Sequence, residues 1–226
     1  MTEVKPIETI YKGYRFRSRL EARWAVFFDA LDILYEYEKE GYELGEAGWY
    51  LPDFWLTQFK TWVEIKPNVD PGEETLEQIE KASVKARALR NLTSYPVLIC
   101  TGLPKDGIWC TLIASDLTDS SGGDSEWHAT FAEDMVTGKP CLLVHDRKPN
   151  RLICTNKFEN IDRIKTVGAA AKEWFPDGEY RFGLESYCEY IEEREFFVHR
   201  TVDGQTSSFE AAIKARQARF EHGECG

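Results

Sequence analysis

The chain has 226 residues, 42% hydrophobic and 13% aromatic, with a net charge of −11. That length can bury a real core, as one elaborated domain or two small ones, without disulfide staples. The acidic balance argues against a protein that coats nucleic acid non-specifically. No stretch approaches the roughly 18 apolar residues of a membrane span, and the first residues carry no signal-peptide core. A cytoplasmic protein with no membrane contact is therefore the expectation. The six cysteines (Cys100, Cys110, Cys141, Cys154, Cys188 and Cys225) form no Cys-x-x-Cys pair. Cys141, His145 and Cys154 with His128 match no familiar zinc spacing, so the cysteines read as structural thiols. Local charge matters more than the total. Residues 1–28 hold Lys5, Lys12, Arg15, Arg17, Arg19 and Arg23 against only Glu3, Glu8 and Glu21.

Residues 10–17 alternate enough for a short strand or extended arm. Ser18 then opens a helix, with Leu20, Trp24, Phe27, Phe28, Leu31 and Leu34 at helical spacing, running to Ile33 or Leu34. Ser18 and Glu21 fit a capping box, in which hydroxyl and carboxylate satisfy the first backbone N–H groups. Tyr35 to Leu44 is aromatic and alternating and reads as a strand, followed by a turn over Gly45 to Gly48. Trp49 to Leu56 and Thr61 to Lys66 are the next two strands, joined by a hairpin loop over Thr57 to Lys60 and ended by Pro67. A helix starts at Asp70-Pro71-Gly72 and runs from Glu73 to Asn91, acids first and bases last, which complements its dipole. Pro96 to Thr101 is a continuous apolar run that reads as a buried central strand. Helix, three strands, helix and strand in about the first 105 residues describe an α/β sandwich. Beyond it, Ile108 to Ser115 and Pro140 to His145 read as strands, Leu117 to Ser125 as a polar loop, and Ile161 to Phe175 and Ser207 to Glu221 as helices.

Two stretches place ionisable groups inside apolar, aromatic runs: Pro52-Asp53 in Trp49 to Leu56, and Glu64-Ile65-Lys66 in Thr61 to Pro67. An unpaired buried carboxylate costs several kcal/mol or takes up a proton. Side chains alternate along a strand, so Glu64 and Lys66 share one face while Val63 and Ile65 point into the core. If the hairpin register brings Asp53 onto that face, two carboxylates and a backbone carbonyl such as that of Ile65 give the all-oxygen environment Mg²⁺ prefers. Such an ion polarises a phosphoryl oxygen and lowers the pKa of bound water. A neighbouring lysine offsets charge developing on phosphorus.

Pro52-Asp53 followed by Glu64-Ile65-Lys66 resembles the motif of the PD-(D/E)XK nucleases. The helix start Ser18-Arg19-Leu20-Glu21 strengthens the likeness, since Holliday-junction resolvases and the N-terminal domains of Tn7-type transposon endonucleases carry a comparable helix glutamate. The resemblance covers residues 10–102, under half the chain, and implies a restriction-endonuclease-like αβββαβ sandwich with a mixed central sheet over residues 1–105. Residues 106–226 belong to no assigned family and read as an α+β C-terminal extension of unknown role packed on that core. The resemblance implies Mg²⁺ as cofactor, with Mn²⁺ as substitute, ligated by Asp53, Glu64 and the Ile65 carbonyl. Lys66 would be the catalytic lysine, and Glu21 would complete the site directly or through water. DNA is the implied partner, cleaved most simply as by an endonuclease, and the setting allows a homodimer or a larger recombination or defence complex.

Simpler explanations stand beside several of these residues. Glu21 is already accounted for by the capping box, and a carboxylate tied to Ser18 would point away from a metal. Arg15, Arg17, Arg19 and Arg23 suit a phosphate backbone, with Arg17 and Arg19 the chosen substrate contacts, and equally suit a solvated face paired with acids. Lys81 and Lys85, four residues apart on one helix face, suit a DNA contact, but dipole complementarity already accounts for them and is the favoured reading. Trp24, Phe27, Phe28, Trp49, Phe54 and Trp55 read as core. The C-terminal helix, with Phe209, Ile213 and Phe220 opposite Lys214, Arg216 and Arg219, reads as an amphipathic cover. Two alternatives to a DNA nuclease remain: a phosphodiesterase for a small cyclic nucleotide, and a catalytically idle nuclease fold serving as a binding module.

Overall fold

The computed structural model describes residues 6–67, 73–105, 110–114, 125–133, 140–146, 151–155 and 207–220. The expected polar loop over 117–125 (save Ser125), the expected helix over 161–175 and the helix start at residues 70–72 lie outside them.

A hairpin of β1 (Thr9–Tyr11) and β2 (Tyr14–Phe16) precedes α1 (Arg19–Ala30). Ser18 takes an extended conformation and its hydroxyl accepts from the Glu21 N–H, so α1 starts where its cap was expected. It ends earlier than the expected Ile33 or Leu34. Asp32 turns left-handed at φ 54°, its N–H donates to the Asp29 carbonyl and the Ile33 N–H to the Phe28 carbonyl. This is a Schellman ending with aspartate where glycine is usual. It buries Ile33 and leaves Leu34 in solvent.

The main sheet has eight strands in the order β12-β11-β10-β9-β8-β7-β6-β3. Its members are β3 (Tyr35–Tyr37), β6 (Phe54–Leu56), β7 (Thr61–Lys66), β8 (Val97–Thr101), β9 (Cys110–Ala114), β10 (Ser125–Glu133), β11 (Pro140–Asp146) and β12 (Arg151–Thr155). All neighbours are antiparallel except β7 and β8, which run parallel and are joined by the crossover helix α2 (Glu73–Thr93). The protein is thus a mixed α/β structure with a mixed sheet. Strands β9 to β12 continue the sheet that begins in the first half of the chain.

Two strands expected to be continuous are broken. Glu38 adopts φ 45° and ends β3, and Pro52-Asp53 leaves the ladder before β6. The intervening residues form a separate two-stranded sheet, β4 (Tyr42–Glu43) with β5 (Trp49–Tyr50), closed by a 3₁₀ turn over Gly45–Ala47. Two strands, β10 and β12, were not expected at all.

Each face of the sheet has its own core. On one, Trp24, Phe27 and Phe28 of α1 pack with Phe16, Phe54, Val63, Ile65, Leu98 and Phe131. The helix α3 (Ser207–Gln217) joins this side, packing on α1 and β10. It does so through Ala211, Ala212 and Ala215, whereas Ile213, expected in the apolar face, is exposed. On the other face, Ala82, Ala86 and Leu89 of α2 pack with Tyr50, Trp55, Trp62, Val97, Ile99 and Ile113. Burying side chains of this size contributes roughly 1.5–3 kcal/mol each, which fixes the strand positions on which the polar groups of β7 depend.

Candidate active site

Strand β7 alternates between the two cores. Val63 and Ile65 enter the α1 side, and Trp62 enters the α2 side. Period-two geometry then sends Glu64 and Lys66 toward α2. Glu64 is buried, yet both its oxygens are satisfied: Oε2 accepts from the Tyr50 hydroxyl at 2.8 Å, and Oε1 pairs with the Lys66 ammonium. The end of β7 is pinned by the Gly102 N–H, which donates to the Lys66 carbonyl at 2.8 Å. Gly102 does this at φ 73°, a conformation that glycine takes at little cost. Its own carbonyl accepts from the buried Trp24 indole at 2.9 Å, so α1, β8 and the Lys66 backbone are tied together.

Asp53 does not sit within a strand, as expected, but in the bend before β6. Pro52 has no N–H to give, and the β6–β7 ladder stops at Phe54–Val63. The Asp53 side chain takes over: Oδ2 accepts from the Ile65 N–H at 2.7 Å and Oδ1 from Arg17 Nη2 at 2.9 Å. The residue is only 3% exposed. The broken strand is therefore what carries this carboxylate beside Glu64.

Glu21 is buried at the start of α1. Its Oε1 accepts from the Ser18 hydroxyl at 2.7 Å, and its Oε2 from the Tyr37 hydroxyl at 2.6 Å and the Arg17 N–H at 3.2 Å. This differs from the expected capping box, because the carboxylate reaches the Ser18 side chain and not its backbone N–H. Nor does the contact with Ser18 turn Glu21 away: it lines the same cleft as Asp53, Glu64, Ile65 and Lys66. That cleft measures about 730 Å³.

The electrostatics follow from three buried acids sharing one region. Burial, then the Glu64 carboxylate, then that of Glu21, hold the Asp53 carboxyl well above its ordinary 3.8, with the Ile65 N–H and Arg17 pulling the other way. Burial and the adjoining Glu64 likewise push the Tyr50 phenol up, which keeps it a hydrogen-bond donor. Burial and the Glu21 contact do the same for Tyr37.

Among the expected substrate contacts, Arg17 lines the cleft and Arg19 does not. Arg17 bridges Asp53 and Glu38 while remaining 54% exposed along its side chain. Arg19 is solvent-exposed, Arg15 pairs with Glu8, and Arg23 donates to the Arg216 carbonyl. Several cleft residues were missed by the sequence reading. Lys81 and Lys85, for which dipole complementarity is the favoured explanation in the sequence, line it from α2, and their spacing alone could not show that α2 covers the sheet face toward which Glu64 points. The phenols of Tyr37 and Tyr50, which fix two of the acids, are separated from them by 16 and 14 residues.

Among the described residues, no group of three or more His, Cys, Asp and Glu side chains is gathered closely enough to hold a metal ion by itself. Magnesium sites commonly use only one or two carboxylates, with water completing the shell. Asp53 and Glu64 suit that mode: both are hard oxygen donors, and beyond the burial that chiefly raises the Asp53 carboxyl, the acidic neighbours add a repulsion that a bound cation relieves. Their present counter-charges are Arg17 and Lys66. The chain matches no protein-family model, no curated protein and no solved structure.

Proposed function

We propose that the chain is a metal-dependent nuclease of the PD-(D/E)XK type, hydrolysing phosphodiester bonds of DNA in this cleft. One observation carries the proposal: Glu21, Asp53, Glu64 and Lys66 line one cleft, with an aspartate whose carboxyl is raised by burial and then by its acidic neighbours. A strongly perturbed carboxyl set in a cleft among other acids is a physical reason to look for chemistry there. The order α1, β3-β6-β7, α2, β8 supports the same reading.

A divalent cation held by Asp53, Glu64 and the Ile65 carbonyl, Mg²⁺ or Mn²⁺ in its place, would supply positive charge to a phosphodiester oxygen and to a nearby water. The remaining work falls to the chain itself. Tyr50 and the Ile65 N–H hold Glu64 and Asp53 in fixed orientations, which removes the cost of arranging them during reaction. Lys66, 30% exposed along its side chain, faces the cleft with its ammonium on Glu64. There it offsets negative charge growing on the phosphoryl oxygens. Arg17 has further guanidinium N–H groups to offer a phosphate oxygen beside Asp53.

The test is cleavage of plasmid and single-stranded DNA with Mg²⁺ or Mn²⁺ by the wild type and by Asp53→Ala, Glu64→Ala and Lys66→Ala. The wild type should cut and each variant should lose activity while retaining its circular-dichroism spectrum. Cleavage that survives all three changes would sink the proposal. The cleft volume also suits a small ligand, since pockets for such molecules span roughly 300–1,000 Å³. A cyclic-nucleotide phosphodiesterase is therefore the second reading, and turnover of a cyclic nucleotide without turnover of DNA would select it.

A further inference from the structure

The cleft carries an aromatic surface that the hydrolytic residues do not use. Trp49 of β5 lines it and is 61% exposed, unusual for a residue that is highly buried on average. The sequence pattern had assigned it to the core. Its exposure is not looseness. In the β4–β5 ladder Trp49 pairs with Glu43, which makes Gly41 its diagonal neighbour. The indole lies so close to Gly41 that a Cβ there would stand 2.2 Å from Trp49 Cζ2 and 2.7 Å from Cη2. Gly41 does not adopt a positive φ, so its lack of a side chain serves the ring and not the backbone. Lys85 Nζ donates to the Trp49 carbonyl at 3.1 Å and lies 5.8 Å from the Tyr50 ring centre, which ties β5 to α2.

A held indole thus stands at a cleft also lined by the acids and by Arg17, Lys66, Lys81 and Lys85. In a chain of net charge −11, a lining with four cations against three acids is locally positive, which favours phosphate there over the rest of the surface. Exposed aromatic rings beside such cations are how proteins hold unpaired bases, because every base has a stacking face and a base within a duplex has already used its own. Resting on the assignment of phosphodiester chemistry to this cleft, we propose that Trp49 is a nucleobase-stacking residue. The substrate enters as an unpaired nucleotide, its base on Trp49 and its phosphate toward Lys66 and the α2 lysines. The same chemistry is offered by a single strand and by a free nucleotide.

The test is binding by the full chain, with chelator present so that no strand is cut. The probes are a labelled oligothymidylate, the same strand paired in a duplex, and thymidine monophosphate as competitor. The wild type should prefer the single strand to the duplex. Trp49→Ala should weaken single-strand binding about 10-fold or more, the usual scale for one stacked base, and leave duplex binding unchanged. Trp49→Phe should restore most of the loss, which a merely structural role in β5 would not require. Competition by the mononucleotide at concentrations like those of the strand would identify a free nucleotide as the source. Its failure would identify a strand, and either result supports stacking. No binding by the wild type, or binding that a folded Trp49→Ala retains in full, overturns the proposal. The two levels separate cleanly. Trp49-dependent binding with cleavage intact in Asp53→Ala would remove the assignment of the chemistry to the Asp53 site and keep stacking. Unchanged binding in Trp49→Ala with cleavage lost in Asp53→Ala would remove stacking alone.

Discussion

The two faces of β7 are built to different ends. Toward α1, Val63 and Ile65 enter a core of Trp24, Phe27, Phe28, Phe54 and Phe131, whose rings meet edge-on at 5.3–5.7 Å in pairs such as Phe28–Phe54 and Phe27–Phe131. Toward α2, Trp62 packs on Trp55 at 4.6 Å, and the next two residues on that face, Glu64 and Lys66, are charged. The first face maximises apolar burial. The second gives some of it up to hold buried acids near one another, an arrangement that costs stability unless each group is hydrogen-bonded or paired. Tyr50, Tyr37, Ser18, Arg17, Lys66 and the Ile65 N–H supply those partners. One strand thus separates the groups that keep the protein folded from those suited to chemistry.

Mutations on the two faces should have opposite signatures. The largest effect belongs to the α2 face. Glu64→Gln keeps the size of the side chain and an acceptor for Tyr50, and DNA cleavage should fall by at least about 10²–10³-fold, the scale of losing one electrostatic group from a site. Its urea midpoint should hardly move, and a large drop there would erase the contrast. On the α1 face, Phe54→Ala should cost about 3–5 kcal/mol in urea denaturation. The same variant should retain its rate per folded molecule below the transition.

The acids leave a smaller trace in pH. Folding holds the Asp53 carboxyl above its ordinary 3.8, so the folded chain keeps a proton that the unfolded chain has already released. Stability from this group is greatest below that value and declines as pH rises through the elevated one. Thermal denaturation across that range should show a decline in the wild type that Asp53→Asn lacks, and parallel curves would contradict the placement of Asp53 among acids. The smallest effect is local to α1. Ser18→Ala removes the cap and one Glu21 partner, and should cost about 1 kcal/mol in urea denaturation.

Elements with strong periodicity were legible in the sequence. The α1 stripe, the hairpin between β6 and β7, the charge order of α2 and the apolar run of β8 each carry a local signal. The interruptions were not legible, because they depend on single backbone angles: φ 54° at Asp32 shortens α1 and φ 45° at Glu38 ends β3. Strand β10 did carry a weak signal in the alternation of Trp127, Ala129 and Phe131, set among polar residues that obscured it. Asp53, Glu64 and Lys66 stood out because charge in an apolar run is conspicuous. Arg17 was singled out for its charge, but Tyr50, Lys81 and Lys85 did not stand out, since only the tertiary fold brings them to the cleft, and the same holds for Tyr37 behind Glu21. Trp49 was misread for the same reason: whether an aromatic is core depends on its neighbours across the ladder, and Trp49 has Glu43 opposite it and Gly41 on the diagonal.

Calorimetric titration with Mn²⁺ asks whether Asp53 and Glu64 form a cation site, apart from any choice of substrate. The wild type should bind Mn²⁺ at millimolar or lower concentration and melt at a higher temperature when it does, since a ligand of the folded state alone stabilises it. A folded Asp53→Ala, Glu64→Ala double variant should show neither the heat nor the shift. A wild type that takes up no Mn²⁺ at millimolar metal, or a double variant that binds as well as the wild type, would contradict a metal-dependent site on this face of β7.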